Sequence, residues 1–415
     1  MMVKDRKTAY HILILGLLSA IGPFSIDMYL PGFPAIAKDL HTSVGHVSLS
    51  LSSFFIGISA GQFLYGPLLD RFGRKRPLYI GLSAYVLASV GCALSASADT
   101  LIALRFLQAL GSCAGMVASR AMVRDLFAVK DNAKVFSLLM LVVGVSPIIA
   151  PTLGGYITAA FGWKYIFILL SLIVAAILAA VHFTLAETRP PDESLSLKPV
   201  PIVKNFLAVL KEPQFYTYAF TGAVASAGLY AYIAGSPYVF MELFHVSEKQ
   251  YGWIFALIAM GLIGASQLNS VLLKNYTSEQ LIKVALTCQS IIGISMAVIT
   301  FLGWNDVFIT IFFIFIFLCT QGFVFPNASA LSLASFGHNA GSASALMGAI
   351  QMSIGAGTSA LVSVLQNHTA LPMTAVMACC AVAALTVFSL GRKVIIQRAS
   401  IEKVAEEDVE MISTL

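Results

Sequence analysis

The chain has 415 residues, of which 58% are hydrophobic and only 11% charged, with a formal net charge of +5. A soluble globular domain carries roughly a quarter charged residues, so this composition excludes a protein wetted on all sides. The modest positive charge gives no argument for nucleic acid, because the basic residues gather in loops along one side of the apolar runs.

Apolar runs between charged or turn-rich breaks predict an all-α membrane protein of twelve spans, each near the length of about 20 residues that crosses a bilayer. They are 10–33, 45–69, 77–97, 100–122, 135–160, 163–186, 214–240, 250–273, 280–303, 307–333, 341–366 and 370–390, called helices 1 to 12 below. Lys4, Arg6 and Lys7 before an apolar run look like the start of a signal peptide. That run is too long and no small-residue cleavage site follows, so an uncleaved first span is expected. All but four of the 25 basic residues fall in segments or helix ends on one side, the exceptions being Lys38, Lys164, Lys249 and the intramembrane Arg105. This asymmetry predicts that both termini are cytoplasmic.

Residues 187–213, with Pro190, Pro191, Pro199 and Pro201 among mixed charges, separate six spans from six and read as a cytoplasmic linker. The expected organisation is a bundle over 1–186, the linker, a second bundle over 214–390, and a solvated, mobile cytoplasmic tail over 391–415. The halves echo one another: Pro31 late in helix 1 matches Pro237 late in helix 7, and Gln62 in helix 2 matches Gln267 in helix 8. Six cysteines (Cys92, Cys113, Cys288, Cys319, Cys379 and Cys380) all lie in apolar stretches without a CxxC pair, so neither disulfide nor metal site is expected.

Four local patterns stand out in chain order. Helix 1 ends in DMYLPGFPAI, from Asp27 to Ile36. The loop between helices 2 and 3 reads GPLLDRFGRKRP, with Gly66, Asp70, Arg71, Gly73 and Arg74 at its key positions. Helix 4 carries RFLQALGS, which puts Arg105 and Gln108 on one helical face, and ends in MVRDLF, which contains Asp125. Helix 5 contains Gly144 and the run SPIIAPTLGG, with Pro147, Pro151, Gly154 and Gly155, a kinked or closely packed helix.

The Gly-x-x-x-Asp-Arg-x-Gly-Arg-Lys loop resembles the signature loop of the major facilitator superfamily at every key position. The helix 4 and helix 5 runs are similar to that family's Arg-x-x-Gln-Gly and antiporter motifs, with Ala109 and the Ala150–Pro151 step as departures. Helix 1, MVRDLF and AGSPYV in helix 7 resemble its bicyclomycin-resistance and chloramphenicol-efflux branch of drug:proton antiporters. The resemblance implies two six-helix bundles, a monomer in the bacterial inner membrane, and a cavity lined by helices 1, 4, 7 and 10. In that reading Asp70 faces the start of helix 11, Asp125 pairs with Arg74, and the loop acts as a conformational gate.

Asp27 is the one acid, and Arg105 the one base, well inside a span. An unpaired charge at the bilayer centre costs at least about 2.5–3.5 kcal/mol, and the two sit at similar depth, so they are expected to pair. A static structural pair and a proton-coupling pair are the alternatives. Candidate substrate contacts are Tyr29, Gln108, Tyr230, Tyr232, Gln321 and Gln351, aromatic and amide groups that suit amphipathic molecules. His11 and His182 read as interfacial. No nucleophilic triad, phosphate loop or HExxH motif is present, so an enzyme is not expected. The implied function is proton-coupled export of small organic compounds, driven by the proton gradient without a cofactor. The alternatives are a proton-coupled metabolite importer, a dedicated siderophore or amino-acid exporter on the same fold, and a scaffold without transport.

Overall fold

A computed structural model describes residues 6–192, 199–336 and 340–413. Helices 2 to 6 are Val44–Phe72, Lys75–Ala93, Ala98–Leu126, Val129–Phe161 and Lys164–Thr184. Helices 8 to 11 are Glu248–Leu272, Ser278–Phe301, Val307–Leu333 and Ala340–Val364. Among the described residues, ten helices are long and apolar enough to cross a membrane. Lys75–Ala93 and Pro213–Pro237, helices 3 and 7, complete the twelve with more serine, glycine and tyrosine.

Helix 1 departs from the sequence expectation. It runs Arg6–Asp27, breaks into a 3-10 turn at Leu30–Gly32, and resumes as a short helix at Phe33–Asp39. Pro31 and Pro34 remove the amide hydrogens that would continue the ladder. Helix 7 has a matching irregularity, a π-helical turn at Tyr238–Leu243 after Pro237. The linker contains a helix at Pro199–Leu210, and residues 193–198 lie outside the described part. Helix 12, Leu371–Ser413, continues through the segment expected as the cytoplasmic tail. No proline or glycine follows Gly391, and its Glu, Lys, Ala and Arg are good helix formers. The acidic side chains there and residues 414–415 lie outside the described part.

Helices 1–6 pack among themselves and helices 7–12 among themselves, with equivalent pairings in the two bundles. The halves meet along helix 2 against helix 11 and helix 5 against helix 8, two seams related by the same pseudo-symmetry. The 2–11 seam is lined with hydroxyls. Ser52 Oγ donates to Ser359 Oγ at 3.0 Å, Ser59 Oγ donates to Ala349 O at 3.1 Å and bonds Ser353 Oγ at 2.8 Å. Ser48 Oγ donates to Ala234 O of helix 7 at 3.2 Å.

We call the end of the bundle bearing the 2–3 loop and the linker the linker face. At the other end the halves are shut. The broken end of helix 1 touches helices 5, 7 and 8, and Thr152 Oγ1 donates to Gly252 O at 3.3 Å. A Cβ on Gly155 would collide with the carbonyl of Glu248, and one on Gly154 with the carbonyl of Met28. At these two positions glycine lets one backbone lie directly against another. Gly144 is different: a Cβ there would meet nothing, as at Gly66 of the 2–3 loop, so the close packing expected along helix 5 is absent at this glycine.

Candidate functional site

Arg105 anchors the polar centre of the first bundle. Its guanidinium, 0% exposed, donates to Gln108 Oε1 at 2.6 Å and to the Ser25 carbonyl at 3.0 Å. It lies over the rings of Phe54 at 4.2 Å and Tyr29 at 4.5 Å, with Phe167 at 5.8 Å. Gln108 Nε2 donates to Ser89 Oγ at 2.7 Å, Ser25 Oγ bonds Tyr85 OH at 2.6 Å, and the Tyr29 hydroxyl bonds Ser50. Tyr29 and Gln108, expected as substrate contacts, therefore serve as walls and clamp of the guanidinium. Aromatic faces and neutral acceptors replace a counter-ion, since a ring quadrupole attracts a desolvated cation by about 2 kcal/mol or more.

The expected ion pair between Asp27 and Arg105 is not formed. Ser25 faces helices 3 and 4, and two residues along a helix rotate by about 200°, so Asp27 points away from Arg105. It ends helix 1 at 5% exposure, with no hydrogen-bond partner among the described residues. The groups that sense its charge are the phenols of Tyr230 and Tyr232 on helix 7 and Tyr251 on helix 8, all in the other half. Tyr230 meets the Phe55 ring at a tilt of 60°, 4.8 Å away, and Tyr232 stacks on Phe255 at 5.4 Å with its hydroxyl unbonded. The acid thus sits on the boundary between bundles.

The second bundle carries an amide cluster. Gln321 Nε2 and Gln351 Nε2 both donate to Ser226 Oγ, at 2.7 and 3.3 Å, and Gln289 Nε2 reaches Gln321 Oε1 at 3.5 Å. Beside it lies a small surface cleft lined by Tyr218, Gly222, Phe325, Ser329, Met347 and Gln351. All six come from the linker-face portions of helices 7, 10 and 11. The structure therefore brings Gln321 and Gln351 together beside the cleft, while Tyr230 and Tyr232 pack on Phe55 and Phe255.

At the linker face the signature loop is an ion-pair knot. Arg74, nearly buried, donates from Nε to Asp125 Oδ2 and from Nη1 to Asp70 Oδ1, both at 2.8 Å. Gly73 turns the chain at φ +79°, a left-handed conformation that glycine adopts without strain. Arg71 lies over Phe72, and its carbonyl accepts from Asp192 N. The expected contact of Asp70 with the start of helix 11 borders residues 337–339, outside the described part. Sequence reasoning missed Glu187, whose carboxylate accepts from Arg74 N at 2.8 Å and Lys75 N at 3.0 Å, capping helix 3 from the end of helix 6. It also missed Arg120, a second half-buried base on helix 4. The 15-residue step from Arg105, close to four helical turns, is the signal that would have found it.

Residues 15–360 match the model of the Major Facilitator Superfamily. The chain belongs to that superfamily: it is a multi-pass membrane transporter and not an enzyme. Its relatives place it with the bicyclomycin- and chloramphenicol-resistance branch. It is 33% identical over 383 residues to a bicyclomycin resistance protein homolog of Haemophilus influenzae, covering 92% of this chain and 96% of the relative. A chloramphenicol resistance protein of Pseudomonas aeruginosa is 29% identical over 373 residues, 88% of this chain and 86% of that one. An uncharacterized MFS-type transporter of Bacillus subtilis is 35% identical over 366 residues, covering 88% and 90%. Among solved structures, a bacterial homolog of the human lysosomal transporter Spinster, inward-facing and occupied, superposes with TM-score 0.73 at 14% identity, covering 94% of this chain and 98% of that one. The D-xylose-proton symporter superposes with TM-score 0.71 at 13% identity, covering 92% and 97%.

Proposed function

We propose that the chain is a proton-coupled exporter of small organic compounds, antibiotics among them, working by alternating access in a bacterial inner membrane with both termini cytoplasmic. The observation that carries the coupling is Asp27: a carboxyl at 5% exposure at the end of helix 1, with no ion pair among the described residues. A charge buried without a partner is costly, and protonation removes that cost. Proton loading from the far side thus lets the halves shut over Asp27, and proton release on the linker face frees them to take substrate outward. Arg105 shapes the pocket beside this acid and is not its counter-ion. The drug-resistance names of the relatives support the substrate class. The proton moving through 100 mV supplies about 2.3 kcal/mol, a roughly fiftyfold gradient of a neutral substrate at one-to-one exchange.

Asp27→Asn keeps the shape and loses the titrating proton. In proteoliposomes it is expected to abolish efflux driven by an imposed pH gradient while substrate counterflow, which needs no net proton movement, persists. Undiminished pH-driven efflux in the mutant would remove Asp27 from the coupling role.

A further inference from the structure

The linker is divided between the two halves. Its first residues dock on the signature loop of the first: Thr188 Oγ1 donates to Asp125 Oδ2 at 2.9 Å, Arg189 Nη1 lies 3.5 Å from Asp70 Oδ1, and Asp192 N donates to the Arg71 carbonyl at 3.0 Å. The helix at Pro199–Leu210 goes the other way. Its sequence, PVPIVKNFLAVL, sets Phe206, Val209 and Leu210 three and four residues apart, an apolar stripe on one face. That stripe shares an apolar cluster with Phe215 and Ala219 of helix 7 and Leu346, Met347 and Ile350 of helix 11. Lys204, Leu207 and Ala208 are left exposed. The linker helix is therefore seated on the second bundle.

Phe206 also reaches back to the first bundle. Its ring meets Phe63 of helix 2 edge-on, with centroids 5.1 Å apart and planes at 78°. Phe63 lies where helices 2 and 11 diverge. From Gly45, where a Cβ would strike Gln366 and the Ser363 carbonyl, to Gln62, 3.5 Å from a Cβ built on Gly348, the two helices touch. One turn further on, a Cβ on Gly66 would meet nothing within 4 Å. One on Gly341, at the start of helix 11, would meet the tip of the Arg124 side chain at 3.6 Å and no atom of helix 2. The linker-face ends of helices 2 and 11 thus stand apart, and an aromatic ring carried by the linker helix lies in the angle between them.

We propose that the linker helix is a wedge: Phe206, seated on the second half, props helix 2 away from the start of helix 11 and favours the state shut opposite the linker face. The proposal rests on the alternating-access reading. When the halves rock and the opposite end opens, the linker-face ends of helices 2 and 11 approach one another. Phe63 and the apolar side of helix 11 then close on the space that the Phe206 ring occupies, and the ring has to withdraw. The edge-to-face contact with Phe63 is made in one state and lost in the other. A contact of that kind shifts the ratio of two states by roughly two- to tenfold, which biases the cycle without blocking it.

Spin labels at Lys38→Cys and Lys249→Cys, exposed opposite the linker face in different halves, report the balance of states for the full chain in nanodiscs. Phe206→Ala is expected to raise the ratio of long to short distances roughly two- to tenfold. Phe63→Ala, on the exposed partner ring, should give the same shift, and the double variant no more than either alone. Leu207→Ala, on the exposed face of the same helix, should give none. The wedge is overturned if both phenylalanine variants leave the distribution unchanged, if they move it toward the short distance, or if their effects add. It is equally overturned if Leu207→Ala matches them, which would assign the effect to the way the helix lies on the lipid. Gly155→Ala, which crowds the opposite end, separates the wedge from the reading beneath it. A longer distance in that variant but in neither phenylalanine variant sinks the wedge alone. One fixed distance in wild type and every variant sinks alternating access, and the wedge with it.

Discussion

Arg105 is held by rings and neutral oxygens, so its environment depends on planarity as well as charge. Hydrogen bonds from a charged donor contribute about 1.5–3 kcal/mol each, and a lysine at this position cannot make two of them while stacking between Tyr29 and Phe54. Arg105→Lys is therefore expected to lower thermal stability markedly although the charge remains. Because Asp27 faces the other way, the effects of Arg105→Ala and Asp27→Asn on stability should add, with a coupling below about 0.5 kcal/mol. A coupling well above that in a double-mutant cycle would restore the ion pair that the sequence suggests. Depth along each helix was legible, because apolar runs have visible ends. Azimuth was not: whether residue 25 or 27 faces helix 4 depends on where neighbouring helices sit.

At the scale of elements, local motifs were the most readable. Asp70, Gly73 and Arg74 form a compact turn whose parts are adjacent in sequence, and Asp125 joins them as expected. Glu187 was invisible because it arrives from the far end of helix 6. The break in helix 1 was hidden by its apolar composition, despite Pro31 and Pro34. Helix 5 gives a direct test of its glycines. Gly155→Ala forces a methyl against the Glu248 carbonyl of the other half, and overpacking of this kind costs about 1–3 kcal/mol. The variant should populate states open opposite the linker face. Spin labels at Lys38→Cys and Lys249→Cys, exposed on that face in different halves, should report a longer distance. An unchanged distance distribution would mean that the 5–8 seam does not hold that end shut.

Across the whole molecule the repeat runs deeper than Pro31 and Pro237. Helices 4 and 10 each carry a buried glutamine that donates to a serine hydroxyl of a neighbouring helix, Gln108 to Ser89 of helix 3 and Gln321 to Ser226 of helix 7. Three residues before the glutamine the first half has Arg105 and the second has buried Leu318. The repeat could not be read fully from sequence because helix packing preserves positions while side chains drift. Alternating access requires the halves to part. A disulfide between Ser52→Cys and Ser359→Cys, whose hydroxyls lie 3.0 Å apart, is expected to stop transport and a reductant to restore it. Full transport by the cross-linked protein would show that these helices stay together throughout the cycle.

The hydroxyls along that seam also bear on speed. A helical serine released from its cross-partner can turn back onto a carbonyl one turn earlier in its own helix, as Ser363 and Ser290 already do. Parting the halves at Ser52 and Ser59 therefore strands no donor. The interface behaves like a lubricated bearing, with friction set by the rotation of a few C–O bonds.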